Sequence, residues 1–77
     1  TSARATGNLN ATAIGTGAQA TAEESSALGA YSVASADDAT AVGVFANATG
    51  VNSVALGRGS LADRTDSVSV GTAYWNA

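Results

Sequence analysis

The sequence predicts a parallel β-solenoid, and three observations carry that prediction. Gly15, Gly29, Gly43, Gly57 and Gly71 recur every 14 residues without a slip. The residue before each is aliphatic: Ile14, Leu28, Val42, Leu56 and Val70. The residue two before is always small: Ala13, Ala27, Ala41, Ala55 and Ser69. Self-similarity at a fixed short period marks a chain that stacks one structural unit on itself.

Within one period the first element is a strand. Around Gly57, Val54 and Leu56 fall on one side and Ser53 and Ala55 on the other, an alternation of period two. Fourteen is also two heptads, but a coiled coil wants about four apolar a and d positions in that length. Only one position per period is reliably large and aliphatic, and a glycine in every period costs about 1 kcal/mol in a helix interior. The helix loses. The glycine is then a corner, where a Cβ would hinder the turn. Five residues later a second small column, Ala20, Ala34, Ala48 and Ala62, marks a second short strand. Two strands and two tight turns close a flattened coil, and coils stacked about 4.8 Å apart place like residues above one another.

In this register the aliphatic column is expected to line the coil interior together with the column two before it: Thr12, Ser26, Thr40, Val54 and Val68. The expected core is thus Ile14, Leu28, Val42, Leu56 and Val70 with Val54 and Val68, and the small residues between them are expected outside. Residues 1–10 carry another copy, but "ATGNLN" (5–10) aligns with "ATGVN" (48–52) only through one inserted residue. An insertion inside a strand would flip every later side chain, so it marks turn.

The chain has 77 residues, and 45% of them are hydrophobic. Most of that share is alanine, which buries little area. No cysteine is present to staple so small a core, which leaves oligomerisation as the expected source of stability. Three arginines against six acids give a net charge of -3, which argues against nucleic acid, where phosphates need clustered cations. No run approaches the ~18 apolar residues of a membrane helix. Without an initiator Met or a leader, and already in its pattern at the first residues, the chain reads as a segment of a longer one.

These repeats resemble the YadA-like heads of trimeric autotransporter adhesins, Gram-negative surface proteins whose coil phrase is Asn/Asp-Ser-Val-Ala-Ile/Leu-Gly. "NSVALGRGSLA" (52–62) matches it nearly letter for letter. "NATAIGTGAQATA" (10–22) and "DATAVGVFANATG" (38–50) follow with Thr for Val, and "DSVSVG" (66–71) resembles a variant that closes a head. The resemblance implies an all-β, left-handed parallel β-roll with 14-residue coils, assembling as a parallel homotrimer at the tip of a surface fibre. It places head repeats over 1–71 and leaves 72–77, "TAYWNA", as the start of a neck or connector, or a truncation.

Candidate sites are few. No histidine and no cysteine are present, so nucleophile–base triads and zinc sites are excluded and the chain is read as no enzyme, with no cofactor and no metal. "GTG" (15–17) and "GRG" (57–59) lack the helix that a nucleotide loop needs and read as corners. Glu23-Glu24 and Asp37-Asp38 share turn slots in successive coils, with Asp66 in the second slot of a later one. Stacked carboxylates could recruit Ca²⁺, although a solvated acidic turn is the plainer reading. Tyr31 and Phe45, each two residues after a glycine, are expected to stack, as packing at a subunit seam or as a ligand contact. Arg58, Tyr74 and Trp75 complete the candidate surface or subunit contacts. The column Thr12, Ser26, Thr40 raises an ice-binding reading, which weakens because Val54 and Val68 interrupt it and because it shares the side expected to face inward.

The resemblance implies a non-catalytic adhesive head on the bacterial surface, its membrane anchor far from this segment. Its partners would be extracellular matrix proteins such as collagen, fibronectin and laminin, or host-cell receptors. The rival expectation is a mechanical spacer that projects another binding domain.

Overall fold

The structure is a computed structural model and describes residues 3–6 and 10–71. Among these residues the chain forms an all-β solenoid of about five turns, built from ten short strands. They are β1 (Arg4–Ala5), β2 (Thr12–Ile14), β3 (Gln19–Ala20), β4 (Ser26–Leu28) and β5 (Val33–Ala34), then β6 (Thr40–Val42), β7 (Asn47–Ala48), β8 (Val54–Leu56), β9 (Leu61–Ala62) and β10 (Val68–Val70). Odd strands form one five-stranded sheet in the order β1-β3-β5-β7-β9, and even strands form the other, β10-β8-β6-β4-β2. Every pairing is parallel.

Like residues stack on like. Ala13 pairs with Ala27, Ala27 with Ala41, Ala41 with Ala55 and Ala55 with Ser69. The first pairing alone is offset: Arg4 faces Gln19, 15 residues on, where Gln19 faces Val33, 14 on. The extra residue therefore lies between Ala5 and Thr12, and the strands on either side keep their facing.

Two kinds of four-residue turn close each coil. In the first, the amide of Ala18 donates to the Gly15 carbonyl (3.1 Å), and Ser32 to Gly29, Ala46 to Gly43 and Ser60 to Gly57 repeat the bond. In the second, Ser25 donates to Ala22 (3.2 Å), Ala39 to Ala36 and Ser53 to Gly50. Turns this short hold the two sheets close together, and that spacing decides what fits between them.

The expected core is reversed. Ile14, Leu28, Val42, Leu56 and Val70 point out of the coil, as do Val54 and Val68; Ile14 is 61% exposed and Val70 71%. Inside lie only alanine and serine. Ala20, Ala27, Ala34, Ala41, Ala48 and Ala55 are at 0% exposure, and Ser25, Ser32, Ser53 and Ser60 are buried with them. The period-two alternation is present, with its two faces exchanged. A lumen between sheets drawn together by four-residue turns accepts a methyl or hydroxymethyl group and excludes a branched aliphatic one.

Buried hydroxyls need partners, and the turns supply them. The four fully buried serines each donate to the carbonyl three residues back: Ser25 Oγ to Ala22 (2.6 Å), Ser32 to Gly29 (2.8 Å), Ser53 to Gly50 (2.6 Å) and Ser60 to Gly57 (3.0 Å). The serines thus clamp the turns that set the lumen's width. Among the described residues one buried side-chain polar atom is left over: Asn47 Oδ1 has no partner, on an outward position of β7 between Val33 and Leu61.

The glycine column is equally constrained. Gly29 and Gly43 have φ of +123° and +126°, and a Cβ on either would lie 2.7–2.8 Å from the backbone carbonyl carbon of the next glycine in the column. One glycine therefore requires the next.

Two stability predictions follow from this lumen. Ala41→Leu overpacks it and should destabilise the fold by about 3 kcal/mol, the upper end of the usual overpacking range, seen as a fall in the thermal midpoint by circular dichroism. Asn47→Val removes the unpartnered carbonyl between two aliphatic neighbours and should raise stability by about 1 kcal/mol in the same melt.

Candidate functional site

With the interior filled by alanine and serine, every chemically distinctive side chain is on the outside. The solenoid presents them as an apolar sheet face and two edges. The face belongs to the even strands: the column Ile14, Leu28, Val42, Leu56 and Val70 runs beside Thr12, Ser26, Thr40, Val54 and Val68. The Thr12–Thr40 hydroxyl column therefore faces outward, contrary to the expectation that set ice binding aside. It still ends at Val54 and is flanked throughout by the aliphatic column, so the face as a whole is apolar.

The acidic edge is formed by the second kind of turn. Its third residue is Asn10, Glu24, Asp38, Asn52 or Asp66, all with φ between 56° and 60°. Asn and Asp tolerate this left-handed conformation better than other side-chain-bearing residues, so backbone geometry accounts for much of the Asn/Asp recurrence. Stacking then brings these side chains together. Asn52 Nδ2 donates to Asp66 Oδ1 (2.8 Å), while Glu24 meets Asp38 across one coil step. The shared hydrogen bond with Asp38, then that carboxylate's charge, pushes the Glu24 carboxyl above its ordinary value. An open groove of about 320 Å³ beside this edge is lined by Thr6, Thr21, Ala22, Glu23 and Asp37. Among the described residues no three acidic, histidine or cysteine side chains gather as a metal site would require.

The aromatic edge is formed by the first kind of turn. Its third position is Gly17, Tyr31, Phe45 and Gly59, with φ of 70°, 60°, 64° and 71°. Glycine suits this geometry, whereas a bulky side chain there costs roughly 1–2 kcal/mol. Tyr31 and Phe45 accept that strain in adjacent coils. Their rings stack with centroids 5.5 Å apart and planes 12° from parallel, and they remain 47% and 55% exposed. Coil-to-coil bonds fix the backbone beneath them: Tyr31 donates to the Thr16 carbonyl (2.8 Å), Phe45 to Ala30 (3.0 Å) and Gly59 to Val44 (2.9 Å). Arg58 is exposed on the same edge.

The structure thus brings Tyr31, Phe45 and Arg58 to one edge and stacks the corner glycines Gly15, Gly29, Gly43, Gly57 and Gly71 in another column. Tyr74 and Trp75, with the whole of 72–77, lie outside the described residues. What sequence reasoning missed is the left-handed column itself. Its signal was one column shared by glycine and aromatics, Gly17, Tyr31, Phe45 and Gly59.

A parallel solenoid with an alanine–serine lumen, stacked glycine corners and distinctive chemistry only on its outer faces belongs to the class of β-solenoid repeat proteins. The YadA head domain repeat, in two copies per match, fits this chain over residues 1–18, 7–32, 20–46, 34–60 and 48–73. The chain therefore belongs to the YadA head repeat family, the adhesin-head family its coil phrase resembles. No curated protein and no solved structure matches it.

The acidic edge yields a pH prediction. Glu24 binds its proton more tightly folded than unfolded, so the pair favours the fold most below the unfolded pKa. That contribution is lost as pH rises through the raised, folded value. Asp38→Asn keeps a residue suited to the left-handed turn and removes the repulsion. Thermal midpoints measured from acid to neutral pH should fall for the wild type relative to this variant, and parallel curves would refute the coupling.

Proposed function

We propose that this chain is a non-catalytic head segment of a trimeric autotransporter adhesin. In this reading the solenoid is a left-handed β-roll of 14-residue coils, three copies of which pack in parallel. The fibre stands on the bacterial surface, anchored in the outer membrane by a distant part of the protein, and serves virulence by attaching to host tissue. Its ligands are extracellular matrix proteins, collagen, fibronectin or laminin, or receptors on host cells.

What carries the reading is the coincidence of head repeats across residues 1–73 with a sheet face that a secreted rod could not leave bare. Ile14, Leu56, Val68 and Val70 are exposed on it, and Leu28, Val42 and Val54 are half-buried. A continuous apolar strip of this kind marks an interaction surface. Packed around a three-fold axis, the strips of three copies form the large-side-chain core that each lumen excludes. Adhesion would then be multivalent, with three copies of every surface turning weak contacts into avidity.

Sedimentation equilibrium should give a trimer for the wild type, and a compact, stable monomer would refute the assembly. Leu56→Asp places three carboxylates in the seam, each costing several kcal/mol unpaired, and should abolish the trimer at concentrations where the wild type is intact. The trimer should bind at least one of immobilised collagen, fibronectin and laminin. Binding to none of them would favour the spacer reading.

A further inference from the structure

We propose that the aromatic edge is a binding site for an acidic sugar, a pyranose bearing a carboxylate, which stacks on Phe45 and pairs with Arg58. The proposal names a ligand class within the adhesin reading and rests on it for its biological setting.

The first ground is the placement of the rings. The left-handed turn position is satisfied by glycine in the coils on either side, at Gly17 and Gly59. Tyr31 and Phe45 add nothing to the lumen, which alanine and serine fill completely. Two adjacent coils thus hold bulky rings in a conformation that disfavours them, on the outside of the molecule. The rings pack on each other and on Gly17 but add nothing to the lumen, and backbone strain retained at an exposed surface points to function.

The second ground is geometry. A Cβ on Gly17 would lie 2.7 Å from Tyr31 Cδ1, so the Tyr31 ring leans over the glycine of the preceding coil. Phe45 in turn stacks on Tyr31. On the far side of Phe45 the next rung is Gly59, fixed there by its bond to the Val44 carbonyl, and it has no side chain to cover the ring. One face of Phe45 is thereby left for a ligand. The C–H face of a pyranose is the shape and polarity that an aromatic face accepts.

The third ground is charge. All six acids, Glu23, Glu24, Asp37, Asp38, Asp63 and Asp66, lie in or beside the second kind of turn, on the opposite edge. The aromatic edge carries Arg58 and no acid. Arg58 is exposed and immediately precedes Gly59, in the turn one coil beyond Phe45, within reach of a ligand seated on the uncovered Phe45 face. Its planar fork pairs with a carboxylate through two parallel N–H···O bonds, which selects an acidic sugar over a neutral one.

The test is an NMR titration of the whole chain with methyl glucuronide, using methyl glucoside as the neutral control. Saturable shifts of the Phe45 and Tyr31 ring protons with glucuronide, and at least ~10-fold weaker binding of glucoside, are expected. Phe45→Gly installs the residue its column already holds at 17 and 59, so it should keep the circular dichroism spectrum and the sedimentation of the wild type while losing at least ~10-fold in glucuronide affinity. Arg58→Gln should erase the preference for glucuronide over glucoside. Three results overturn the proposal: no ring shifts at saturating sugar, shifts confined to the acidic edge, or equal binding of the two sugars. A fourth is loss of the trimer in Phe45→Gly, which would assign the rings to the subunit seam. Failure to bind matrix proteins would count against the adhesin reading and leave this titration unaffected.

Discussion

Everything else in this molecule depends on how little room the turns leave between the sheets. A four-residue turn closed by one backbone bond draws two parallel sheets so near that only methyl and hydroxymethyl groups fit. All four inward columns are accordingly built from alanine and serine alone. The serines fix the turns in return by donating to their first carbonyls. Lumen and turn thus specify each other, and neither has slack for a larger side chain. The glycine column obeys the same limit, since successive backbones approach too closely for an intervening Cβ.

That constraint explains both what is legible in the sequence and why the direction of the strand alternation is not. The 14-residue register, the strand alternation, the glycine corners and the inserted residue before Thr12 were all legible, because each leaves a mark in residue spacing. The direction of the alternation left no such mark. Placing Leu56 inside and Ala55 outside assumes that larger apolar groups go to the core, which holds when the core has room for them. A better guide was the variability within each column. Positions 13, 27, 41, 55 and 69 never depart from alanine and serine, whereas positions 12, 26, 40, 54 and 68 range over Thr, Ser and Val. A closed lumen tolerates only the step from a methyl to a hydroxymethyl group; an outer face tolerates more.

The acidic edge is legible in the sequence as charge and only in the structure as backbone. Glu24, Asp38 and Asp66 share their column with Asn10 and Asn52, and what the five have in common is a left-handed φ. Three acids in one column are therefore weak grounds for a cation site: amides occupy the same slots, and Glu24 answers its neighbour by holding a proton more tightly. The aromatic edge differs in kind. Asn and Asp relieve the left-handed strain, while Tyr31 and Phe45 incur it, so conformation does not explain their presence.

A fold with so uniform an interior separates stability from surface chemistry. Each coil contributes the same small lumen residues, and stability accrues coil by coil through nearest-neighbour stacking. The exterior is released from that duty, so one coil can carry Tyr31 where the coil before it carries Gly17, with no change to the strands beneath. The large aliphatics are the exception. Excluded from the lumen, they gather on one exposed sheet face, the kind of strip that marks an interaction surface. The feature that makes each coil interchangeable thus also leaves an apolar face bare, which the proposed trimer would cover while multiplying whatever the edges display.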